Sequence, residues 1–478
     1  MFDAVVVGGG PNGLAAAWTL AAAGLHVAVF ERDRVLGGGC RTDEWGSGYR
    51  SDWGSAVHPM AAASPFLRKV DIANRLRFLT PEISYAHPLE TGVALAWRSL
   101  ERTASELGIR DGAAWKRLLT PLIVASDEII KAALSPVPSL AKRPRAGARL
   151  AAAGLLTRLG AGLHTSAGRA LLGGVVAHSI GRQPQLGTSA AGAVLAMLAH
   201  SCGWPIPAGG SQAITDLLHA DLVRFGASFH LGHEINAMDQ LPAARAYFFD
   251  TSARDLVEIC GSRVHSRYRR AVDRMVRGNA VSKVDIVVTE PIPWLTRDVS
   301  FAGTVHLCGD LQDIRRAEDD VARGRHSERP MIILSQPSLF DPSRAPGGLQ
   351  MIWAYAHVPA GSNTPQTEAV VRSIERFAPG FRDTVVDTRA TTASQIGQRN
   401  PTMVGGDFAS GALSTRQLLK RPRLSPVPWL AGNGLYLCST AAAPGPGVHG
   451  MGGYGAAQHA LTHIFSLPTD PSSSVATF

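Results

Sequence analysis

The apolar positions near the start of the chain change period several times. Ala4 to Val7 is a short, unbroken β-branched run, the pattern of a parallel strand buried on both faces. Leu14 to Ala23 is rich in alanine and leucine, carries no charge and stops at Gly24, which predicts a helix and its end. Val27 to Phe30 predicts a second strand, closed by Glu31. Helical spacing governs Ser99 to Leu107 and Gly112 to Leu134, with Trp115, Leu118, Leu119, Leu122 and Ile123 on one side. Ala146 to Leu163 is apolar with Arg149 and Arg158 embedded, and Gln183 to Thr215 carries no charge. Ala213 to Phe225 and Glu368 to Phe377 read as helices. Strands are expected at Ser228–Ile235, Arg245–Asp250, Lys283–Thr289, Met351–Val358 and Gly434–Thr440, and a last helix runs through Ala456 to Phe465.

The turn between the first strand and helix carries chemistry. Gly8-Gly9-Gly10-Pro11-Asn12-Gly13 fits G-x-G-x-x-G. Without a side chain at Gly10 a pyrophosphate can approach the backbone, and the helix N-terminus offers N–H groups and a positive dipole end to it. Glu31 stands where an acid accepts hydrogen bonds from a ribose hydroxyl. Strand, glycine turn, helix, strand and acid together specify a dinucleotide. A second glycine turn, Gly37-Gly38-Gly39, then precedes Cys40-Arg41-Thr42, and a plain NAD domain does not need it.

With that second turn the sequence resembles the large FAD-dependent oxidoreductase family that includes phytoene desaturases, carotenoid isomerases and flavin amine oxidases. The phytoene-desaturase-like branch resembles it most at the C-terminal end: a strand ending in Ser439-Thr440, a bend at Pro444-Gly445-Pro446-Gly447, and a helix opening at Gly450-Met451-Gly452-Gly453. The resemblance implies FAD and an α/β fold. A Rossmann-like FAD-binding domain with a parallel sheet would be assembled from residues 1–65, 205–260 and 427–478. A second, α+β substrate domain would take residues 66–204, mostly helical, and 261–426. The cofactor residues implied are Gly8, Gly10, Pro11, Asn12, Gly13, Glu31 and Arg32, with Gly38, Gly39, Arg41 and Thr42 along the phosphates and ribityl chain. Ile235 would lie near the adenine. Thr251 belongs to the same set, although Asp-Thr-Ser stands here where related chains show Ala-Thr-Gly. Ser439 and Thr440 would meet the ribityl and phosphates, and Gly450, Met451 and Gly452 the flavin pyrimidine edge. Asp52, Gly54 and Pro59 loosely fit the segment that runs under the ring. His58 and His449 are the catalytic candidates, His58 against the alternative of a turn histidine bonding backbone and the His449 turn against that of a helix cap in an empty domain; His178 and His200 qualify by type alone.

Composition narrows the classes. With 478 residues, 45% hydrophobic and 18% charged, two globular domains are expected. The net charge of +9 suits an anionic surface, an acidic lipid or nucleic acid, or a general basic bias. The arginine run from Arg263 to Arg277 lacks the interleaved aromatics that stack bases, so nucleic acid is not expected; a solvated helix face or an acidic lipid contact is. Five scattered cysteines argue against a disulfide framework, a zinc site or a redox dithiol. His230 and His233 have no third ligand nearby, so no metal is expected. Arginines interrupt one apolar segment and prolines the other, which excludes a spanning helix. Either these helices line an apolar substrate cavity, or one lies at a membrane interface. The chain enters its first strand at once, so a cytoplasmic protein without a signal peptide is expected, with possible peripheral membrane contact. Asp313 to Arg329 is expected to be exposed, and the tail from Pro468 to fray.

FAD with an extensive apolar second domain implies a dehydrogenase or desaturase. It would take hydride from an isoprenoid-, polyene- or secondary-metabolite-like substrate and pass electrons to oxygen, a quinone or a carrier, since no second dinucleotide fingerprint appears. Three alternatives stay open: a flavin amine oxidase, although only Tyr454 supplies an aromatic in the C-terminal motif; a non-redox isomerase or cyclase using reduced flavin; and a lipid-binding carrier related to GDP dissociation inhibitors.

Overall fold

In a computed structural model, residues 1–469 are described; the tail from residue 470, where fraying was expected, lies outside the described residues. The chain forms a mixed α/β structure around two sheets. β1 (Ala4–Val7) is fully buried and pairs in parallel with β2 (Val27–Glu31) on one side and with strand Ala246–Phe249 on the other. The six-stranded order is Leu430–Gly432, Leu435–Leu437, Ala246–Phe249, β1, β2, Ser228–Leu231, antiparallel only at its first pair. Three separate stretches of sequence therefore build one sheet, as the parallel Rossmann-like expectation requires. α1 (Pro11–Ala21) buries almost every residue, because it packs on this sheet and against helix Met451–Ala460. Gly453 permits that contact: a Cβ there would stand 1.8 Å from the Asn12 carbonyl oxygen.

The second sheet has seven strands in the order Val385–Thr391, Ala280–Val288, Gln350–Val358, Ile332–Ser335, Ala302–Leu307, Ile83–Leu89, Gly92–Trp97. Its last two strands lie within the mostly helical segment 66–204, where the sequence pattern marked no strand. Ile83–Leu89 is buried on both faces, so it shows no alternation, and its His87 and Pro88 disguise it further. Residues 100–201 are mostly helical, as expected, and pack around the fully buried Trp115. The strand expected over Ser228–Ile235 stops at Leu231 because Gly232 turns the chain at φ +72°. The charged run after Asp310 is not uniformly exposed. It forms helix Leu311–Ala322, and Glu318 is buried there against His357 Nδ1. Among the described residues no helix is long and apolar enough to cross a membrane.

A buried ion network joins the two sheets' territories. β3 (Thr42–Trp45) and β4 (Tyr49–Asp52) form a hairpin that ends in Asp52. Arg344, wholly buried, donates to Asp52 Oδ2 at 2.7 Å and to Asp341 Oδ2 at 2.9 Å. Asp52 Oδ1 accepts from the Ser211 N–H and the Thr42 hydroxyl, both at 2.7 Å, and these bonds with Arg344 hold its carboxyl below the usual range against the cost of burial. Removing the guanidinium leaves two buried carboxylates without their cation. Arg344→Met is expected to lower the urea unfolding free energy by about 3–5 kcal/mol. A loss under about 1 kcal/mol, with an unchanged denaturant slope, contradicts that role.

Candidate dinucleotide and substrate site

A cavity of about 820 Å3 runs between the two sheets, at the upper end of the size of ligand sites. Its wall at one end is the glycine turn of the first sheet. Gly8, Gly10, Pro11, Asn12, Glu31, Arg32, Gly38, Gly39, Arg41, Ile235, Thr251 and Thr440 all line it, so the structure brings most of the expected cofactor residues to one surface. The glycines leave a cradle that side chains would fill: a Cβ on Gly10 would lie 2.6 Å from Asp250 Oδ2, and one on Gly39 2.7 Å from the Met403 methyl. Glu31 accepts from the Gly9 N–H at 2.7 Å and from the Asp33 N–H at 2.9 Å. A carboxylate has further lone pairs for a ribose hydroxyl. Arg41 is held on the wall by Asp33 at 2.6 Å.

Other expected residues stand behind the wall. The Gly13 N–H donates to Asp250 Oδ2 at 2.8 Å. The Thr42 hydroxyl is spent on Asp52. Ser439 is buried and accepts from the Ala441 N–H. Gly450 is left-handed at φ +66°, with Phe66 in the place of any side chain. The Met451 N–H donates to His449 Nδ1 at 3.0 Å and the Gly452 N–H to Asn12 Oδ1 at 3.2 Å. These two N–H groups of the last helix therefore bond the protein itself. The helix start locks the first and last parts of the chain together under the cradle.

Both candidate histidines line the cavity and are buried. His58 Nε2 is 2.7 Å from the Ser211 hydroxyl oxygen and 3.1 Å from the Ser55 carbonyl, while its Nδ1 has no partner. Ser211 spends its own proton on Ser55, so His58 Nε2 is the donor and Nδ1 carries the lone pair. In His449 the roles reverse: Nδ1 accepts from Met451, which leaves Nε2–H unpartnered. Burial pushes each imidazole down to about 4, so both are neutral near pH 7.

Two wall residues escape the sequence pattern. Asp250 closes strand Ala246–Phe249 and faces the α1 N-terminus. Lys283 projects from strand Ala280–Val288 into the second-domain wall. It is almost fully buried, with Nζ 2.6 Å from Asp285 Oδ1 and 3.2 Å from the Ser51 hydroxyl. Its only signal was Lys-Val-Asp inside strand Ala280–Val288: Lys283 and Asp285 alternate with Val284 and Ile286, which reads as a solvent face, yet both are buried. Beyond Lys283 the wall is apolar and aromatic. It includes Leu140, Leu150, Val194 and Trp204 from the helical part, and Trp353 and Tyr355 from the sheet. Trp353 and Tyr355 meet edge to face, centroids 5.2 Å apart and rings at 85°. The cradle, the ribose acid and the second glycine turn fit FAD.

A family model described as an NAD(P)-binding Rossmann-like domain matches residues 6–70. The chain is 26% identical to the rat pyridine nucleotide-disulfide oxidoreductase domain-containing protein 2, over 95% of this chain and 92% of that protein. It is 25% identical to an uncharacterized protein of Mycobacterium bovis, over 98% and 99% of the two chains. Among solved structures, a putrescine oxidase variant superposes with a TM-score of 0.61 at 16% identity, over 97% of this chain and 99% of the other. Cyclohexylamine oxidase from Brevibacterium oxydans gives 0.54 at 14% identity, with the same coverage. An oxidoreductase from Methanosarcina mazei gives 0.60 at 16% identity, over 94% and 98%. These structures share the fold of FAD-dependent oxidoreductases.

The buried neutral imidazoles have a consequence for acid stability. His58 and His449 are depressed from 6.5 to about 4 in the folded chain. The unfolded state therefore binds more protons between those values, so stability is full above pH 6.5 and falls as the pH drops toward 4. A thermal melting series is expected to show Tm constant from pH 8 to about 6.5 and falling below it, and His58→Gln to soften that fall. A Tm unchanged from pH 6.5 to 4.5 contradicts this reading.

Proposed function

We propose that this protein is an FAD-dependent dehydrogenase or desaturase acting on a hydrophobic, isoprenoid-, polyene- or secondary-metabolite-like substrate. The observation that carries the reading is the continuity of one cavity from the Gly8–Gly10 cradle to a chamber walled by Leu140, Leu150, Val194 and Trp204. Bound FAD supplies the oxidising chemistry there, accepting a hydride from a substrate C–H bond. The chain's own residues bind, orient and exclude water. Apolar walls desolvate a lipid-like substrate and order it by shape. His58 Nδ1 is the neutral lone pair available to take a proton, and the His449 Nε2–H is the available donor. Lys283 holds a fixed cation on the wall, neutralised from behind by Asp285.

A flavin amine oxidase is the second reading, favoured by the Trp353–Tyr355 pair. Against it, the charged residues of the second-domain wall are Lys283 and Arg399, both cations, which offer an ammonium group no counter-ion. Dithiol chemistry, suggested by the rat relative's name, is not supported by the sequence: Cys40, Cys202, Cys260, Cys308 and Cys438 show no paired C-x-x-C spacing, and four of them are buried. Helix Pro144–Arg158, which borders the cavity, fits a peripheral membrane contact. Its Leu150 and Ala151 line the cavity, Leu155 and Leu159 are exposed at 48% and 72%, and Arg145, Arg149 and Arg158 share the helix.

Purified protein is expected to be yellow or to become so with FAD, and Gly10→Val to stay colourless with an unchanged far-UV spectrum. Anaerobic bleaching by polyenes or isoprenoids, but not by primary amines, is expected. A chain that takes up no FAD overturns the proposal, and bleaching by amines alone moves it to the second reading. Flotation with vesicles is expected to carry the protein only when acidic lipid is present, and Leu159→Asp to abolish it. Equal flotation on neutral and acidic vesicles, or none, removes the membrane contact.

A further inference from the structure

The glycine turn is built for an anion, yet it already faces one. Asp250 Oδ2 sits 2.8 Å from the Gly13 N–H and 2.6 Å from where a Cβ on Gly10 would lie. That is the clearing a pyrophosphate needs, at the end of the helix that offers it N–H groups. Around Gly8 the same residue closes the turn, chiefly through its backbone: a Cβ there would meet the Asp250 carbonyl oxygen at 2.6 Å and Asp250 Cβ at 3.2 Å. Two negative groups cannot share this space at low cost, because the site is desolvated and Coulomb repulsion there is far stronger than in water.

Resting on the FAD reading above, we propose that Asp250 couples cofactor binding to proton uptake. The pyrophosphate is accepted only by the neutral carboxyl, whose O–H is then available to a phosphate oxygen while Oδ2 keeps accepting from the Gly13 N–H. One proton enters from solvent and ends on an Asp250 oxygen; no other bond forms or breaks.

The surroundings support a carboxyl poised to change charge. Burial raises Asp250 to about 7, and the nearby Glu31 of β2 pushes the same way, while the N–H groups of Gly13 and Asn12 oppose it. Just past the end of the neighbouring strand the Cys438 thiol is pushed up by burial, and further by Asp250, so it contributes no charge. Asp255 and Glu258, on helix Ala253–Cys260, line the same cavity and add negative potential; Arg32 and Arg41 are the cations of this end of the wall. An arriving pyrophosphate makes the negative form of Asp250 costlier still, so the complex holds the proton at pH values where the free site has lost it.

Linkage sets the sign. Below about pH 7 the free site already carries the proton and affinity is flat. Above it, each pH unit is expected to weaken FAD binding by up to about tenfold, the limit for uptake of one proton. The measurement is FAD titration of the full chain, freed of cofactor, followed by flavin absorbance and fluorescence from pH 6 to 9. Asp250→Asn keeps an oxygen for the Gly13 N–H and cannot charge, so its dissociation constant is expected to be flat and at least tenfold tighter than wild type at pH 9. Calorimetry of the wild type at pH 8, in two buffers of different ionisation enthalpy, is expected to show uptake of about one proton per FAD, a readout that needs no variant. Parallel pH slopes for wild type and variant, weaker binding by the variant at pH 9, or no proton uptake overturns the proposal while leaving the FAD reading intact. A chain that binds no FAD at any pH overturns both.

Discussion

The arrangement depends on one buried cation. Arg344 comes from the second domain's sequence, Asp52 from the first hairpin and Ser211 from the stretch that returns to the first sheet, and they meet in one hydrogen-bonded cluster. Taking such charges out of water is costly, and the cost is offset only where the geometry is complete. Asp52 completes it: its two oxygens serve Arg344, the Ser211 N–H and the Thr42 hydroxyl at 2.7 Å each. The loop after Asp52 is then anchored on both flanks, since Ser211 also holds His58. The cavity wall from Trp53 to Pro59 therefore owes its shape to an ion cluster behind it.

That design divides the labour between the ends of the cavity. At the first sheet, backbone and small residues dominate, and specificity for a dinucleotide comes from what is absent at Gly8, Gly10 and Gly39. At the second sheet, bulk dominates: Trp204 and the edge-to-face pair Trp353–Tyr355 define the space by volume. Polar groups there are few, and the Trp353 Nε1–H is buried without a partner. Lys283 pairs with Asp285, which keeps a buried cation without leaving a net charge in an apolar chamber.

Sequence was most informative where structure is local. Strand, turn, helix and acid between Ala4 and Glu31 lie within one βαβ unit, so their spacing alone predicts the cradle. Pairings distant along the chain left no such trace. Asp250 reads as the end of an ordinary strand, and only its approach to Gly13, 237 residues away, shows that it faces the phosphate clearing. Lys283 meets Ser51 across 232 residues. Strand Ile83–Leu89 was hidden because burial on both faces erases the period-two signal. The helix start at Gly450 shows the converse: its glycines were legible, but they serve the close approach of α1.

That approach governs how the protein can be made. The Gly452 N–H bonds Asn12 across 440 residues, so the helix that frames the dinucleotide cradle lacks its packing partner until the far end of the chain has emerged. At ribosomal rates of about 5–20 residues per second, the wait is roughly 20 to 90 seconds. Through that interval the first βαβ unit holds its fingerprint without its support, and contacts of such separation are slow to close. The support of the cradle is therefore complete only once helix Met451–Ala460 has docked on α1.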